Sequence, residues 1–139
     1  LRSAGGGSII NIGSTSSFMG TPLRSSYSAT KWGLIGLTKT WAMEYGQENI
    51  RINTICPSSV NGDRIEQVID REAKYRNVEP EEIKSAYLSQ TSMKTFIDAE
   101  EIAGMIVYLL SPLAKKITGQ MFVIDGHTEN LSMVSREDD

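Results

Sequence analysis

The sequence contains very few of the residues that form disulfides or bind metal ions. Its 139 residues include one cysteine, Cys56, and one histidine, His127. A single thiol forms no intramolecular disulfide, and one Cys with one His falls short of the four ligands of a structural zinc site. We therefore expect no metal centre and a reducing compartment, which we take to be the cytoplasm. Both residues are expected to be structural, Cys56 at a buried strand end and His127 in a turn.

Clusters of positive charge and long apolar runs are also lacking. The formal net charge is -3, and Lys and Arg nowhere form a run, so nucleic acids and anionic lipid surfaces are not expected partners. The apolar stretch Met105–Leu110 is far shorter than the roughly 20 residues that cross a membrane. We expect a small molecule as the partner, no nucleic acid and no membrane.

What is present suffices for one globular domain. Hydrophobic residues make up 40% of the chain and charged residues 22%, a composition and length typical of a single soluble domain with one core. We expect this domain to occupy residues 1–127 and the polar tail 128–139 to be loose. Because Leu1 is not an initiating Met and no signal-peptide apolar region follows it, we expect the chain to begin inside a longer parent.

Strands and helices alternate along the sequence. Apolar and β-branched runs between Gly and Pro residues predict three strands, at Ser8–Gly13, Ile50–Cys56 and Gln120–Ile124. The stretch after the first strand is rich in Ser, Thr, Gly and Pro and predicts a loop. A stretch without proline that stops before Gly46 predicts a long, mostly buried helix over Ser26–Tyr45.

The second half of the chain predicts further helices. Gly62–Arg76 and Pro80–Leu88 read as shorter helices inside a charged excursion, residues 61–95, that suits a lid over a site. An acidic N-cap at Asp98 with Glu101 three residues on predicts a helix that closes at Ser111-Pro112. One face of that helix carries its apolar residues, Ile102, Met105, Ile106, Leu109 and Leu110. This order predicts an α/β fold with a parallel sheet of three strands covered by helices.

Tyr27 and Lys31 are spaced for acid-base chemistry at the start of the long helix. Residues four apart lie on one face of a helix, so the two side chains can be neighbours. An ammonium within roughly 4–6 Å of a phenol favours the phenolate, and such a pair can move a proton to or from an alcohol oxygen. The same spacing alone also fits an ordinary surface pair.

Ser14 adds a second polar group at the end of the first strand, where ligands bind in open α/β sheets. Together these residues resemble the short-chain dehydrogenase/reductase family. The resemblance is carried by I-I-N-I-G-S at Ile9–Ser14, Y-S-A-T-K at Tyr27–Lys31 and I-R-I-N-T-I-C-P at Ile50–Pro57. It continues through Asp98–Ala103, Ile117–Gln120 and Val123–Gly126, and so covers nearly all of residues 6–127.

The resemblance implies the carboxyl-terminal half of a Rossmann-like, doubly wound fold and the activity of an NAD(P)-dependent oxidoreductase. Ser14 would orient the substrate oxygen, Tyr27 would be the acid-base, and Lys31 would favour the phenolate and bind the nicotinamide ribose. The substrate would be a secondary alcohol or a ketone, and the cofactor NAD or NADP. The long helix packs across a dimer interface in the family, so the resemblance also implies a homo-oligomer.

One cofactor-binding segment departs from the family pattern. After the second strand the family has P-G-x-V-x-T, whose backbone contacts the nicotinamide carboxamide, and this chain has Pro57, Ser58, Val60 and Gly62 at the four named positions. Ser58 in place of Gly matters only if the position needs a positive φ. Gly62 in place of Thr removes a hydroxyl that helps to hold the cofactor.

The dinucleotide-binding half of the family has no counterpart in the sequence. Gly5-Gly6-Gly7 precedes a strand, whereas the family's phosphate-binding Gly-rich turn lies between a strand and a helix. We therefore expect little or no turnover from the isolated chain, and NAD and NADP cannot be told apart. An alternative interpretation is a truncated, non-catalytic folding or oligomerisation module.

Three smaller points concern the first helix and its neighbours. Ser28 and Lys31 match S-x-x-K, the nucleophile motif of penicillin-binding acyl-transfer enzymes, although the Ser-Asp-Asn and Lys-Thr-Gly partner motifs are missing. Gly33 and Gly36 are expected to let another helix or the sheet approach the long helix closely. The two tryptophans, Trp32 and Trp41, are expected in the core or at a subunit interface.

Overall fold

A computed structural model describes residues 1–131 and contains one parallel sheet. Its strands are β1 (Gly7–Ile12), β2 (Ile50–Pro57) and β3 (Met121–Ile124), side by side in that order. Ile9 lies opposite Ile52, and Ile55 lies opposite Phe122. The predicted parallel sheet is confirmed, with strand ends shifted by one residue; Pro57 closes β2 in the structure.

All four predicted helices are present. They are α1 (Ser25–Tyr45), α2 (Asp63–Arg76), α3 (Pro80–Ser89) and α4 (Ala99–Leu110). The described chain also has short 3₁₀ turns, at Arg2–Ala4, Thr15–Ser17, Gly46–Glu48 and Pro112–Ala114. The sequence predicted a loop where the turn Thr15–Ser17 lies. The turn forms because the Ser14 and Ser17 side chains accept hydrogen bonds from nearby backbone N–H groups.

The main core lies between the sheet and α4. Ile55, Leu109 and Ala114 are fully buried there, and Ile106 and Phe122 are among the residues that pack against them. Leu110 was predicted to share this buried face, but it is 55% exposed. Consecutive helical residues lie about 100° apart around the axis, so Leu110 is turned away when Leu109 faces the sheet.

Polar groups join α1 to the sheet. Thr38 is buried on α1, and its hydroxyl lies 2.6 Å from that of Thr54 on β2. The Asn11 amide on β1 donates a hydrogen bond of 2.9 Å to the same Thr38 oxygen. This buried network is satisfied by its own members and sets how α1 sits on both strands.

The prediction that α1 is mostly buried is wrong for the described chain. Only Thr38 is buried along its length, and Trp32 is 50% exposed. A Cβ atom added at Gly33 or Gly36 would meet nothing within 4 Å, so neither glycine accommodates a close neighbour within residues 1–131. The reason is that the sheet covers one side of α1 and the described chain places nothing on the other.

The excursion forms a small helical layer of its own. Ile69 and Ala73 on α2 pack with Ile83 on α3, and all three are buried. At the base of the excursion, Val60 and Ile97 form an isolated parallel bridge. The excursion thus leaves and rejoins the sheet at neighbouring points, an arrangement suited to the predicted lid.

The segment after β3 is ordered at its start. The Asp125 carboxylate accepts backbone hydrogen bonds from His127 and Thr128, at 2.8 and 2.9 Å, and Thr128 is 5% exposed. The prediction of a loose tail is therefore wrong for its first residue, while residues 132–139 lie outside the described part of the chain. None of the helices in residues 1–131 is long and apolar enough to cross a membrane.

Candidate active site

Ser14 stands where β1 ends and the chain turns away from the sheet. The backbone N–H of Gly13 donates to the Ile55 carbonyl at 2.7 Å, and Ser14 then caps the 3₁₀ turn Thr15–Ser17. The Ser14 hydroxyl oxygen accepts a hydrogen bond of 3.2 Å from the Ser16 N–H. One acceptor position of Ser14 is thereby occupied, and the hydroxyl is held at the carboxyl end of the strand.

Lys31 reaches the same end of β1 from the second turn of α1, and Tyr27 lies beside it. The Lys31 ammonium donates a 3.1 Å hydrogen bond to the carbonyl of Ile12, the last residue of β1. The same nitrogen lies 5.6 Å from the centroid of the Tyr27 ring. The structure therefore places Lys31 between the predicted acid-base and the strand end that leads into Ser14.

Cys56 lies beneath these groups, in a position that sequence reasoning treated as merely structural. The thiol is fully buried, as predicted for a strand end. Burial raises its pKa, and the Ser17 hydroxyl, the Ser14 backbone and the Lys31 charge oppose that rise. A Cβ atom on Gly13 would lie 3.0 Å from the Cys56 sulfur, so the thiol lies against the backbone of the residue before Ser14.

Gly13 is a second residue that the sequence analysis did not single out. A Cβ atom there would lie 2.7 Å from the Ser17 oxygen and 3.0 Å from the Cys56 sulfur. Both distances are shorter than a carbon normally permits, so the site packs onto the bare backbone of β1. The only signal in the sequence was a Gly directly before Ser14, which fits the rule that Gly permits close backbone approach.

The last residue of β2, Pro57, and the segment after it, with Ser58 and Val60, lie at the adjacent strand end. Pro57 pairs with Ile124, and the Ser58 N–H donates to the Ile124 carbonyl at 3.0 Å. The Ser58 hydroxyl is buried and has no hydrogen-bond partner. Ser58 is not among the non-glycine residues of the described chain that have a positive φ, so Ser in place of Gly introduces no backbone strain here.

Gly62 lies outside this strand end. It is exposed, has φ 136° and precedes α2 as an N-cap without a side-chain hydrogen bond. An L-amino acid with a side chain is rarely found at this φ. The local backbone therefore explains why glycine occupies the place of the family's threonine.

An open cleft borders the segment that follows Ser14 and the turn Thr15–Ser17. It has a volume of about 650 Å³, and it is lined by Phe18–Pro22 on one side and Glu129–Leu131 on the other. Residues 129–131 were expected to belong to a loose tail, so this wall was not predicted. No periodic pattern marks such a wall, because its position depends on where the chain returns after β3.

The remaining candidate groups, namely the Ser28 and Lys31 pair and His127, do not form a second catalytic site. The buried Ser28 hydroxyl has no hydrogen-bond partner, while Lys31 bonds to Ile12 and not to Ser28. His127 is exposed and its Nδ1 lies 2.6 Å from the Ser92 hydroxyl, a contact between the end of the excursion and the turn after β3. Within residues 1–131, no group of three or more His, Cys, Asp or Glu side chains is arranged to hold a metal ion.

The fold and the site define an α/β protein whose polar groups converge at the carboxyl ends of parallel strands, where such sheets bind ligands. Residues 1–127 match a family model described as enoyl-(acyl carrier protein) reductase. The chain belongs to the short-chain dehydrogenase/reductase family, and the predicted membership is confirmed.

Curated relatives agree with this assignment. The chain is 35% identical over 127 residues to D-beta-hydroxybutyrate dehydrogenase of Rhizobium meliloti strain 1021, covering 91% of the chain and 49% of the relative. It is 39% identical over 121 residues to dehydrogenase/reductase SDR family member 6 of Rattus norvegicus, covering 86% and 47%. The chain spans about half the length of the curated relatives it matches.

Solved structures support the Rossmann-like fold. L-sorbose reductase from Gluconobacter frateurii, complexed with NADPH and L-sorbose, superposes with a TM-score of 0.84 at 26% identity, over 92% of this chain and 49% of that one. A 4-hydroxyisoleucine dehydrogenase complexed with NADH gives a TM-score of 0.66 at 38% identity, over 86% and 44%. The predicted α/β fold class is thereby confirmed.

Proposed function

We propose that this chain carries the proton-handling residues of an NAD(P)-dependent oxidoreductase that interconverts a secondary alcohol and a ketone. The observation that carries the proposal is the position of Lys31. Its ammonium is bonded to the end of β1 beside Ser14 and lies 5.6 Å from the Tyr27 ring centroid. Lys31 and Tyr27 are therefore neighbours on α1, as a pair that moves a proton to or from one substrate oxygen requires.

Each residue has a distinct part in the reduction of a ketone. The Tyr27 hydroxyl gives its proton to the substrate oxygen, and the Lys31 ammonium stabilises the phenolate that remains. Ser14 donates a hydrogen bond to the same substrate oxygen, since the Ser16 N–H already occupies one of its acceptor positions. Oxidation of the alcohol runs through the same positions in reverse.

The end of β2 fits the nicotinamide part of NAD or NADP. The buried Ser58 hydroxyl lacks a partner, and a carboxamide offers both a donor and an acceptor to such a group. Pro57, Ser58 and Val60 would hold the carboxamide, and Tyr27 with Lys31 would hold the ribose. When bound, the nicotinamide supplies the hydride for reduction or accepts it for oxidation.

A specific observation also favours the second candidate, a folding or oligomerisation module without turnover. No strand of the described chain pairs with the outer edge of β1, and the sequence contains no G-x-G-x-x-G turn for the dinucleotide phosphates. An unpaired strand edge is a template for another strand. On this proposal the Ser14, Tyr27 and Lys31 arrangement exists, but the chain by itself binds the dinucleotide too weakly to turn over.

Titration with the two reduced dinucleotides separates the candidates. The purified 139-residue chain, its mass verified, is titrated with NADH and with NADPH while nicotinamide fluorescence is recorded, and turnover is assayed with a panel of small ketones. Saturable binding with turnover supports the oxidoreductase. Binding too weak to saturate at millimolar dinucleotide, from a folded chain, supports the module and contradicts catalysis by this chain.

We also propose that copies of this chain associate through the outer face of α1, in a reducing compartment such as the cytoplasm. That face presents exposed apolar and small residues, namely Trp32, Gly33, Gly36, Leu37 and Met43. Contiguous exposed apolar surface of this kind marks interaction sites. A buried free thiol at Cys56 suits a reducing environment.

A further inference from the structure

Ser17 occupies an unusual place in the turn that follows β1. Its side chain is fully buried, and its oxygen accepts a 3.0 Å hydrogen bond from the Ser14 N–H. Together with the bond from the Ser16 N–H to the Ser14 hydroxyl, this completes a reciprocal capping box. Glu or Gln normally supplies the second half of such a box from a longer side chain. The short Ser17 side chain requires the turn to fold tightly back on Ser14.

The hydrogen bonds of Ser14 leave one group uncommitted. Its N–H is bonded to the Ser17 hydroxyl, its carbonyl accepts from the Ser17 N–H at 2.9 Å, and its hydroxyl oxygen accepts from Ser16. A serine hydroxyl has one proton to donate. Because the other groups are tied to the turn, the hydroxyl proton of Ser14 remains available to a substrate oxygen.

Ser17 is itself fixed from below. The Ser17 oxygen and the Cys56 sulfur on β2 both lie against the backbone of Gly13, since a Cβ atom there would be 2.7 Å from the oxygen and 3.0 Å from the sulfur. Cys56 is fully buried and cannot move without disturbing the sheet. The chain of contacts therefore runs from the centre of the sheet through Ser17 to Ser14.

We propose that Ser17 is a positioning residue, which, held by Cys56 and the bare backbone of Gly13, fixes the Ser14 hydroxyl for hydrogen bonding to the substrate oxygen. The inference rests on the proposed function of Ser14. Loss of the Ser17 oxygen frees the Ser14 backbone to rotate and moves its hydroxyl. A misplacement of about 1 Å in a reacting arrangement can lower a rate on the order of 100-fold.

The first test needs no turnover. Ser17→Ala is compared with wild type by NMR of the 139-residue chain, through hydrogen exchange of the Ser14 amide and its Hα–Hβ couplings. We expect slow exchange and couplings of a single rotamer in wild type, and faster exchange with averaged couplings in the variant. Ser8→Ala is the matched control, because it also removes a buried serine hydroxyl. The Ser8 hydroxyl lies on β1 and has no hydrogen-bond partner.

The second test is kinetic and separates this inference from the proposed function. In the form of the protein that shows dinucleotide-dependent turnover, Ser17→Ala is expected to lower kcat about 10- to 100-fold and leave the KM for the dinucleotide unchanged. Ser14→Ala is measured in parallel. If Ser14→Ala is as active as wild type, the proposed function of Ser14 fails, whatever the NMR result.

Two results overturn the positioning role. One is a Ser17→Ala variant whose Ser14 amide and couplings match wild type. The other is a Ser17→Ala variant with altered Ser14 signals but wild-type kcat, in a protein that Ser14→Ala inactivates. If Ser17→Ala fails to fold, hydrogen exchange of the Ser14 amide in the wild-type protein decides the question. An amide that exchanges as fast as an unprotected one contradicts the bond from the Ser14 N–H to Ser17. An amide that exchanges slowly supports that bond.

Discussion

Lys31 connects two elements of the site through one flexible side chain. Its nitrogen bonds to the Ile12 carbonyl and lies 5.6 Å from the centroid of the Tyr27 ring. A compact ammonium with three donors can keep the carbonyl bond and retain further donors for a ligand. The residue thus serves both the local structure and the proposed chemistry.

Tyr27→Phe tests the acid-base assignment directly. The change removes the proton donor while keeping the ring that packs beside Lys31, so we expect dinucleotide-dependent turnover to fall about 10²- to 10⁴-fold with little change in thermal stability. Steady-state kinetics and thermal unfolding measure the two effects. Tyr75→Phe is the control, since Tyr75 is 81% exposed on α2; a Tyr27→Phe protein that keeps wild-type turnover contradicts the role.

The Cys56 thiol makes a specific contribution to the pH dependence of stability. Burial raises its pKa above the ordinary value, so the folded protein keeps the thiol neutral while the unfolded chain ionises it above about pH 8.5. The unfolded state then binds fewer protons, and the free energy of unfolding falls as the pH rises through that window. Below that pH window the thiol is neutral in both states, and its full contribution to the free energy of unfolding is present.

Cys56→Ala removes the contribution of the thiol to the pH dependence of the free energy of unfolding. Urea unfolding under reducing conditions at pH 7, 8, 9 and 10 measures the free energy of unfolding of both proteins. Wild type is expected to be more stable at pH 7, with a stability difference that narrows towards pH 10. Groups such as Tyr87, whose pKa is also raised by burial, are present in both proteins and cancel in the difference. A difference that stays constant with pH would show that the thiol titrates alike in both states.

At the scale of elements, the start of α4 joins the excursion to the sheet layer. Asp98 caps the helix, its N–H donates to the Glu101 carboxylate at 2.8 Å, and its own carboxylate accepts 2.6 Å from the Asn61 amide. The capping box was predicted from the spacing of the two acidic residues and is confirmed. Asn61, at the start of the excursion, was not anticipated as a partner.

Asp98→Ala removes both the cap and the contact with Asn61. We expect the free energy of unfolding to fall by about 1–2 kcal/mol, measured by urea unfolding at pH 7. Glu100→Ala is the control, as it removes an exposed acidic residue from the same first turn. Equal losses in the two variants would mean that only helix-dipole charge, and not the capping geometry, is at work.

At the scale of the whole molecule, α1 has two sides with different tasks. Its inner side carries Lys31, which bonds to the end of β1, and Thr38, which bonds to Thr54 on β2, while Tyr27 lies beside Lys31. Its outer side carries Trp32 at 50% exposure and Met43 at 87%. On the proposed association, this one helix would hold the candidate site on its inner side and form the interface with its outer side.

Gly36→Glu tests association through that outer face. Light scattering after size exclusion is expected to find an oligomer for wild type and a monomer for the variant, because a charge without a partner is costly inside an interface. Replacing Gly by Glu within a helix favours the helix, so unfolding does not explain a loss of association. Gly104→Glu, at an exposed glycine of α4, is the matched control. A wild-type chain that is monomeric at all concentrations contradicts the proposal.

Much of the architecture and the main candidate residues could be predicted from the sequence. Spacing of four places Tyr27 and Lys31 on one helical face, and a strand followed by Gly and Ser places Ser14 at the edge of a parallel sheet. These are local rules of backbone geometry, so they hold whatever surrounds the element. The alternation of strands and helices determined the fold class in the same way.

Only the tertiary structure decided what lies against each of these elements. Ser17 and Cys56 meet because β1 and β2 are neighbours, and periodicity within either segment contains no information about that contact. The exposure of Leu110 and of the outer side of α1 likewise depends on which partners cover a face, whereas a sequence pattern states only that the face is apolar. The sequence therefore determined the elements and the chemical groups, and the packing of distant segments determined which side chains lie beneath the turn that holds Ser14.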